Sequence, residues 1–302
     1  MTIMAITTSE TGLMARNSRK GTDSSGISFT AFYTGEVWRR HDLSVPFLAS
    51  TEGRALYLAA RPAELIGKAL LGGNNETLLL QRHHIIDHLL EKTILDEGVT
   101  QVVEIACGLS PRGTIMSRRF AGSDIHYVEA DLPDMAARKR QLLAKAGELN
   151  ARHRVVDINI LERNTPEALE NFFARELDPA RKTLVITEGL INYFDYATIH
   201  GFWSRLSVCL KRFPAGIYVS DLYPDFRWHR SVRVANAFKV LLAFATRSSV
   251  TLHFANEADI GEGFREAGFS STRVHLPESY YGVLDIPVMR TPSLVRVIEN
   301  RV

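Results

Sequence analysis

The sequence predicts a doubly wound α/β domain, in which helices cover both faces of a mostly parallel sheet. Residues 101–113 read QVVEIACGLSPRG, where Val102, Val103 and Ile105 form the short apolar run of a strand buried on both faces. Gly108 and Gly113 then indicate a turn that leads into a helix. Strand, turn and helix make the first unit of such a domain, whose ligand lies over the carboxyl ends of the strands.

An acidic pair marks the end of the second predicted strand, residues 125–129. Glu129 and Asp131 stand in the run EADLP, and Asp131 follows the glycine turn by about 20 residues. In nucleotide-binding α/β folds an acid at this distance accepts hydrogen bonds from ribose hydroxyls. The sequence therefore predicts a cofactor that carries a free ribose.

The chain before the sheet is expected to be helical after a mobile tail. Residues 1–26 are rich in Ser, Thr and Gly, a composition that buries little and is typical of a mobile segment. Helices are predicted over residues 55–71 and 77–95, the second because Ile85, Ile86, Leu89 and Leu90 recur at helical spacing. Both precede the first strand and are expected to cover one edge of the sheet.

The rest of the chain alternates between helical and strand patterns. Crossover helices are predicted over 114–120 and 135–146, each returning the chain to a parallel strand. The further strands are predicted at 154–157, 183–188, 215–221, 271–276 and 293–298, and the further helices at 197–213 and 259–267. The strand at 183–188 ends in Glu188, which places a carboxylate at the ligand cleft.

The composition limits which partners and which cellular compartment we expect for this protein. Thirty-six basic and 34 acidic residues leave a formal charge of +2, too small to imply nucleic acid or an anionic membrane as the main partner. Cys107 and Cys209 form no disulfide framework or zinc motif. His84 and His88 share a helix spacing that metal ligands use, but no further ligand motif supports a metal site. Without a secretory signal or membrane span in the pattern, we expect a cytoplasmic protein.

Three motifs in the order of one family span residues 101–195, namely EIACGLSPRG, YVEADLP followed by Lys139, and VITEGLINYF from Val185. With them the sequence resembles the leucine carboxyl methyltransferase family, and a weaker likeness runs from Ser28 to Val302. The resemblance implies an S-adenosylmethionine cofactor and a Rossmann-like class I methyltransferase fold over residues 27–302, with a mainly helical cap from 27–97 and 222–258. Bacterial members include O-methyltransferases of secondary metabolism.

The resemblance also implies which residues would hold the cofactor. These residues are Arg82, Gly108, Asp131, Asp157, Ile158 and Glu188. Arg82 matches the arginine that meets the methionine carboxylate, and Glu188 matches the acid that faces the methionine moiety. Asp157 and Ile158 match an acid and an apolar residue beside the adenine. From the residues alone, Arg82 could instead be an exposed helix arginine, and Asp157 an acid in a surface turn.

The methyl acceptor is expected beside Tyr193, which matches the aromatic residue after the family acid. Residues 223–250 form a connection longer than a simple crossover, and in folds of this kind such an insertion builds the substrate wall. Tyr223 and Arg227 are the candidate contacts, because an arginine can orient a carboxylate bidentately. The alternatives are a solvated amphipathic helix for this segment and half-buried packing for Tyr193.

Two segments that border the expected cofactor carry further expectations. SFTAFY, residues 28–33, resembles a family segment that forms part of the lid, although a small hydroxyl residue before an apolar run could simply start a helix. The family turn usually reads Gly-Ala-Gly-Leu-Asp-Thr-Arg, whereas Ala106 to Arg112 read ACGLSPR in its place. We expect this departure to reshape the loop next to the cofactor.

The leading hypothesis is a small-molecule methyltransferase that forms a methyl ester or ether at oxygen. Since no histidine or lysine stands out as a base, the pattern favours an acceptor carboxylate, which is already ionised at neutral pH, over a hydroxyl. One alternative is a nicotinamide-dependent oxidoreductase, although the usual Gly-x-Gly-x-x-Gly is absent. Another is a non-catalytic relative that keeps the cofactor site. No catalytic residue is assigned, and the oligomeric state is left open.

Overall fold

The central strands consist of apolar residues on both faces, so they can be buried only where helices cover both sides of the sheet. The computed structural model describes residues 24–225 and 251–302, and within these ranges seven strands form one sheet in the order β3-β2-β1-β4-β5-β7-β6. The strands are β1 (Gln101–Ile105), β2 (His126–Asp131), β3 (His153–Asp157), β4 (Thr183–Thr187), β5 (Gly216–Leu222), β6 (Ser271–His275) and β7 (Arg296–Arg301). β1 and β4 lie side by side and are buried along their full length.

Strand direction determines where a ligand can bind. β1 to β5 are parallel, β7 is antiparallel to β5, and β6 is antiparallel to β7. The order reverses between β1 and β4, because β2 follows β1 on one side and β5 follows β4 on the other. In open α/β sheets the ligand crevice opens at such a reversal, outside the carboxyl ends of the strands. This arrangement confirms the predicted Rossmann-like α/β fold.

The helices bury apolar stripes on both faces of the sheet. They are α1 (Ser24–Arg40), α2 (Thr51–Leu71), α3 (Asn75–Glu97), α4 (Arg112–Arg119), α5 (Pro133–Ala146), α6 (Leu169–Glu176), α7 (Tyr196–Leu210) and α8 (Glu257–Glu266). On one face α3 packs Ile86 and Leu90 against β1 and β4, and on the other α7 packs Phe202 and Trp203. Among the residues described here, no helix is long and apolar enough to cross a membrane.

Most predicted elements form, and the exceptions have local causes. The last strand is Arg296–Arg301, not 293–298, because Ser293 is held by other partners: its N–H donates to Glu278 and its hydroxyl donates to Gln81 over 2.7 Å. Helix α6 was not predicted, although Leu169, Phe172 and Phe173 are buried at helical spacing. Residues 24–26 of the predicted tail begin α1, and residues 1–23 lie outside the described ranges.

The start of α4 depends on a glycine that lets a buried carboxylate approach. Glu129 of β2 is fully buried, with Oε1 2.9 Å from His153 Nε2 and Oε2 paired with Lys139. A Cβ on Gly113 would lie 1.8 Å from Glu129 Oε1, well inside contact distance. Gly113 is therefore required by the Glu129 carboxylate beside it.

Replacing Gly113 by Ala should destabilise the fold by about 3 kcal/mol, because the added methyl group displaces one member of a buried ion pair. The control is Gly201→Ala in α7, where a Cβ meets nothing within 4 Å. That control should raise the free energy of unfolding by about 0.5 to 1 kcal/mol through helix propensity. Urea unfolding followed by circular dichroism measures both, and equal effects would refute the steric argument.

Candidate functional site

A cavity opens at the carboxyl ends of β1, β4 and β5, where the fold places the strand reversal. About 920 Å³ of space, which includes open solvent, lies between its lining residues. The β1 loop contributes Ala106 to Leu109, and the β4 end contributes Glu188, Gly189, Leu190, Asn192 and Tyr193. The β5 end contributes Asp221 and Tyr223, while α1 and α3 close the top with residues such as Thr30, Trp38, Leu79 and Arg82. The charged lining residues are Glu188 and Asp221 at the strand ends and Arg82 of α3, and both the strand ends and the helices contribute aromatic and aliphatic groups.

The turn after β1 has a left-handed backbone at two positions. Ala106 has φ 55° and Gly108 has φ 47°. The left-handed conformation costs a non-glycine residue about 1–2 kcal/mol, so Ala106 stores strain where the family turn carries glycine. A Cβ on Gly108 would lie 3.0 Å from Ala31 Cβ, so α1 rests directly on the turn. Residues 28–33 therefore lie within α1 and not at a helix start, since α1 begins at Ser24.

Asp131 supports the same turn from the end of β2. Its Oδ2 accepts from Gly108 N–H at 2.7 Å, and its Oδ1 accepts from Leu132 N–H at 2.8 Å. Burial raises the pKa of Asp131 above its ordinary value, although both N–H donors oppose the shift. Each carboxylate oxygen has a second lone pair, so the group can also accept from ligand hydroxyls.

Arg82 is buried between two carboxylates at the strand ends. It is 6% exposed, which excludes the alternative of a solvent-facing helix arginine. Its Nε donates to Glu188 Oε1 and its Nη1 donates to Asp221 Oδ2, each at 3.0 Å. Gly189 has φ 69°, and a Cβ there would lie 2.7 Å from Arg82 Nη2. The glycine after Glu188 therefore both makes the turn and leaves room for the guanidinium group.

Glu188 is the carboxylate on which the buried charges converge. Besides Arg82, it faces Arg112, whose Nη2 donates to Oε2 at 2.6 Å, and His83, whose Nδ1 lies 3.0 Å from the same oxygen. Burial opposes ionisation of Glu188, but His83, Arg112 and Arg82 together hold its pKa well below the usual range. Glu188 is therefore ionised throughout the physiological range.

Arg112 extends this network beneath the cavity. It is buried, with its Nε bonded to Asp87 of α3 and its Nη1 donating to Glu104 of β1 at 2.6 Å. Tyr127 of β2 donates to the other oxygen of Glu104 at 2.8 Å. His83, Asp87, Glu104 and Asp221 are also parts of the site, although the sequence motifs did not predict them. Glu104 offered a signal, because an acid inside an apolar strand requires a buried partner.

The remaining predicted residues divide between the cavity and its margin. Tyr193 lines the cavity and donates to Thr30 Oγ1 at 2.8 Å, and Tyr223 lines it on the β5 side. Asp157 pairs with Arg140 at 2.6 Å, and the Ile158 N–H donates to the Asp131 carbonyl at 2.8 Å. Asp131, Asp157 and Ile158 thus lie at the ends of β2 and β3, beside the cavity lining. Arg227 lies outside the described residues.

The lining offers ways to orient a ligand more than ways to move protons. Both oxygens of Asp221 accept hydrogen bonds, and Glu188 is held by cations. Burial raises the pKa values of Tyr193 and Tyr223, so both phenols stay protonated at neutral pH. Within the described ranges, no three or more His, Cys, Asp or Glu side chains converge to hold a metal ion.

The sequence also matches a known protein family. The sequence profile of the leucine carboxyl methyltransferase family matches residues 42–205, which is 164 of the 302 residues and so more than half of the chain. No curated protein matches the sequence.

Solved structures share the fold at low sequence identity. A candidate methyltransferase from Thermobifida fusca has a TM-score of 0.58 at 13% identity, over 93% of this chain and 98% of its own. A DUF574 family protein from Streptomyces avermitilis has a TM-score of 0.54 at 13% identity, over 90% and 96%. A candidate O-methyltransferase from Nostoc punctiforme has a TM-score of 0.51 at 14% identity, over 95% and 74%. These likenesses establish a common fold.

The Glu188 network predicts a pH dependence of stability. Because its folded pKa lies below the unfolded value near 4.5, Glu188 contributes stability above that value and loses it as the pH falls toward the folded pKa. Glu188→Gln should cost about 3 kcal/mol at pH 7. The gap to wild type should then shrink by about 1.4 kcal/mol per pH unit between about pH 4 and pH 3, measured by urea unfolding.

An exposed ion pair supplies the control for this measurement. Asp124 also has a lowered pKa, chiefly through its hydrogen bond to Arg181, but its side chain is 58% exposed. Any pH-dependent difference in Asp124→Asn should vanish in about 1 M salt, because salt screens exposed pairs far more than buried ones. The Glu188→Gln difference should persist there. Wild-type and Glu188→Gln curves that stay parallel would show that Glu188 is not held ionised by its neighbours.

Proposed function

The chain belongs to the leucine carboxyl methyltransferase family and is an S-adenosylmethionine-dependent methyltransferase, and from this premise we propose that it methylates an oxygen atom of a small molecule. The proposed acceptor is a carboxylate or an acidic hydroxyl. A formal charge of +2 gives no reason to invoke nucleic acid or a membrane as the partner. The observation that carries the choice of acceptor is that no group in the described lining is free to act as a base.

The residues present fit the cofactor. At one end, Arg82 is a buried cation that can meet a carboxylate, and Glu188 and Asp221 are acids that can meet an ammonium group. Gly108 brings backbone close to the cavity without a side chain, and Asp131 beside it can accept from ribose hydroxyls. Asp157 and Ile158, on the next strand, are the proposed contacts for the adenine.

The cofactor and the protein have different roles in the proposed reaction. The cofactor supplies a methyl group on a sulfonium centre, which needs no protonation to leave. The chain has to orient the acceptor oxygen in line with the methyl group and to exclude water. Tyr193 and Tyr223, on adjacent strand ends, are the proposed acceptor contacts, together with Arg227 beyond the described residues. Tyr193 is tied to α1 through Thr30, so the helix over the turn also fixes one wall of the acceptor space.

The absence of a free base in the described lining supports a carboxylate. A hydroxyl acceptor has to lose a proton before or during transfer, whereas a carboxylate is already ionised at neutral pH. An acidic hydroxyl meets the same requirement. The oxidoreductase alternative loses its support, because family membership assigns methyl transfer and not hydride transfer to this fold.

Cofactor binding is the first test of the site. Asp131→Ala should weaken the binding of S-adenosylhomocysteine by about 10- to 100-fold, because hydrogen bonds to a charged group contribute about 1.5–3 kcal/mol. Titration calorimetry measures the dissociation constant. The matched control is Asp134→Ala, an exposed acid in the first turn of α5, which should bind like wild type. A folded Asp131→Ala protein with wild-type affinity would remove Asp131 from the site.

The acceptor class is tested by turnover. Purified protein is incubated with labelled S-adenosylmethionine and a panel of aromatic and aliphatic acids, each paired with its primary alcohol. We expect methyl esters from acids and little product from the alcohols, because no base is available to the hydroxyl. Methylation of alcohols or amines alone would refute the carboxylate assignment. Cofactor binding without product from any acceptor would favour a non-catalytic relative.

A further inference from the structure

Asn192 makes a set of hydrogen bonds that includes none of the groups proposed for the cofactor. It lies in the 3₁₀ turn Ile191–Tyr193 after β4, is 9% exposed, and lines the cavity. Its Oδ1 accepts from Tyr223 N–H at 2.9 Å. Its Nδ2 donates to the carbonyls of Tyr223 at 3.1 Å and Thr251 at 2.7 Å. Its own carbonyl accepts from Thr251 N–H at 2.9 Å.

This pattern uses the chemistry of an amide side chain. Both N–H groups of Asn192 are engaged with carbonyls, while its oxygen serves a backbone N–H. A carboxylate of the same size would keep the acceptor oxygen. It would, however, replace the NH2 group, which donates two hydrogen bonds, by an oxygen that repels both carbonyl oxygens. An apolar side chain would leave three backbone groups without these partners, at a cost for each. Asparagine is therefore suited to this position by its donors as well as its size.

The bonds fix two points that are distant in sequence but adjacent in space. Tyr223 follows β5, and Thr251 begins the second described range. A further backbone bond, from Asp225 N–H to the Phe254 carbonyl at 2.6 Å, pairs the same two stretches. Asn192 thus fastens the start and the end of the connection after β5 to the turn that follows β4.

The cofactor end of the cavity is held by other bonds. Arg82 is fixed by Glu188 and Asp221, and the glycine turn is fixed by Asp131. Asn192 makes none of these contacts. Tyr223 lines the cavity, and the same amide holds Thr251 beside it. Loss of the Asn192 side chain should therefore loosen the cavity wall at Tyr223, together with Thr251, and leave the groups proposed for the cofactor in place.

We propose that Asn192 is a positioning residue for the methyl acceptor, which it serves by holding the Tyr223 and Thr251 wall against the β4 end. The proposal rests on the proposed function for its kinetic part. Its structural part is that the Asn192 side-chain amide holds Tyr223 and Thr251 in place. This part can be tested whatever ligand binds there.

The experiment compares Asn192→Asp and Asn192→Leu with wild type. Hydrogen–deuterium exchange measures the opening of the Tyr223 and Thr251 amides, and calorimetry measures the dissociation constant of S-adenosylhomocysteine. Steady-state kinetics with the acid that gives product in the acceptor panel measures KM and kcat. The control is Asn171→Leu, an exposed asparagine in α6 whose Nδ2 donates to the Thr165 carbonyl at 2.8 Å.

We expect exchange at Tyr223 and Thr251 to accelerate by about tenfold or more in Asn192→Leu, which loses all three side-chain hydrogen bonds. In Asn192→Asp, which loses the two bonds donated by Nδ2 but keeps the acceptor for Tyr223 N–H, the acceleration is expected at Thr251. The acceptor KM should rise by about tenfold, while kcat and the dissociation constant should change by less than about threefold. Lowering the pH toward about 4, near the ordinary pKa of an aspartate, should raise the protection factor of the Thr251 amide, corrected for the intrinsic pH dependence of exchange, in Asn192→Asp but not in wild type, because a protonated carboxyl can again donate to one carbonyl. Asn171→Leu should change none of these quantities.

The outcomes separate this proposal from the proposed function. Unchanged exchange at Tyr223 and Thr251 overturns the positioning role, whatever the activity, and so does faster exchange with an unchanged acceptor KM. If Asn192→Leu does not fold, Asn192→Asp and its pH dependence decide the question. A wild-type protein that binds no S-adenosylhomocysteine refutes the proposed function instead, and the exchange data still test whether Asn192 holds the wall.

Discussion

The ion pairs that converge on Glu188 organise this molecule. Its carboxylate lies one residue beyond β4 and meets Arg82 and His83 of α3 and Arg112 of α4. Breaking a buried pair costs several kcal/mol, because the remaining charge stays in a low-dielectric interior without its partner. Three elements that are far apart in sequence are therefore held at one strand end. If one of these elements moved, a buried charge would lose its partner or become exposed. These ion pairs therefore help to define the shape of the cavity.

The tight backbone around the site follows from the same constraint. Gly189 leaves room for the Arg82 guanidinium group, and Gly113 leaves room for the Glu129 carboxylate in the neighbouring cluster. Ala106 is the exception, since it adopts a left-handed conformation without being glycine. The loop keeps that conformation at a local cost because the turn is held from both sides, by Asp131 below and by α1 above.

The two ends of the cavity depend on chemically different bonds. The end proposed for the cofactor is held by charge-assisted bonds, which are short and strong and leave acids and a cation facing the cavity. The end proposed for the acceptor is held by neutral hydrogen bonds from Asn192 and by aromatic side chains. The hydrogen bonds of the Asn192 side chain involve none of the Arg82, Glu188 or Asp221 side chains, so a change at Asn192 leaves the charge-assisted bonds in place.

The fold class, the strands at whose ends the site lies, and the candidate residues that end those strands could be predicted from the sequence. Apolar runs and glycine turns are local patterns, so β1, β2, β4 and Glu188 could be predicted from neighbours along the chain. The partners of Glu188 could not, because a helix pattern does not show that His83 will face a carboxylate more than 100 residues away or that Asp221 will share Arg82. The role of Asn192 could not be predicted either, since its partners Tyr223 and Thr251 meet it only after β5 has paired with β4. These contacts form only in the folded chain, because hydrogen bonds and ion pairs between distant residues depend on how packed elements bring them together.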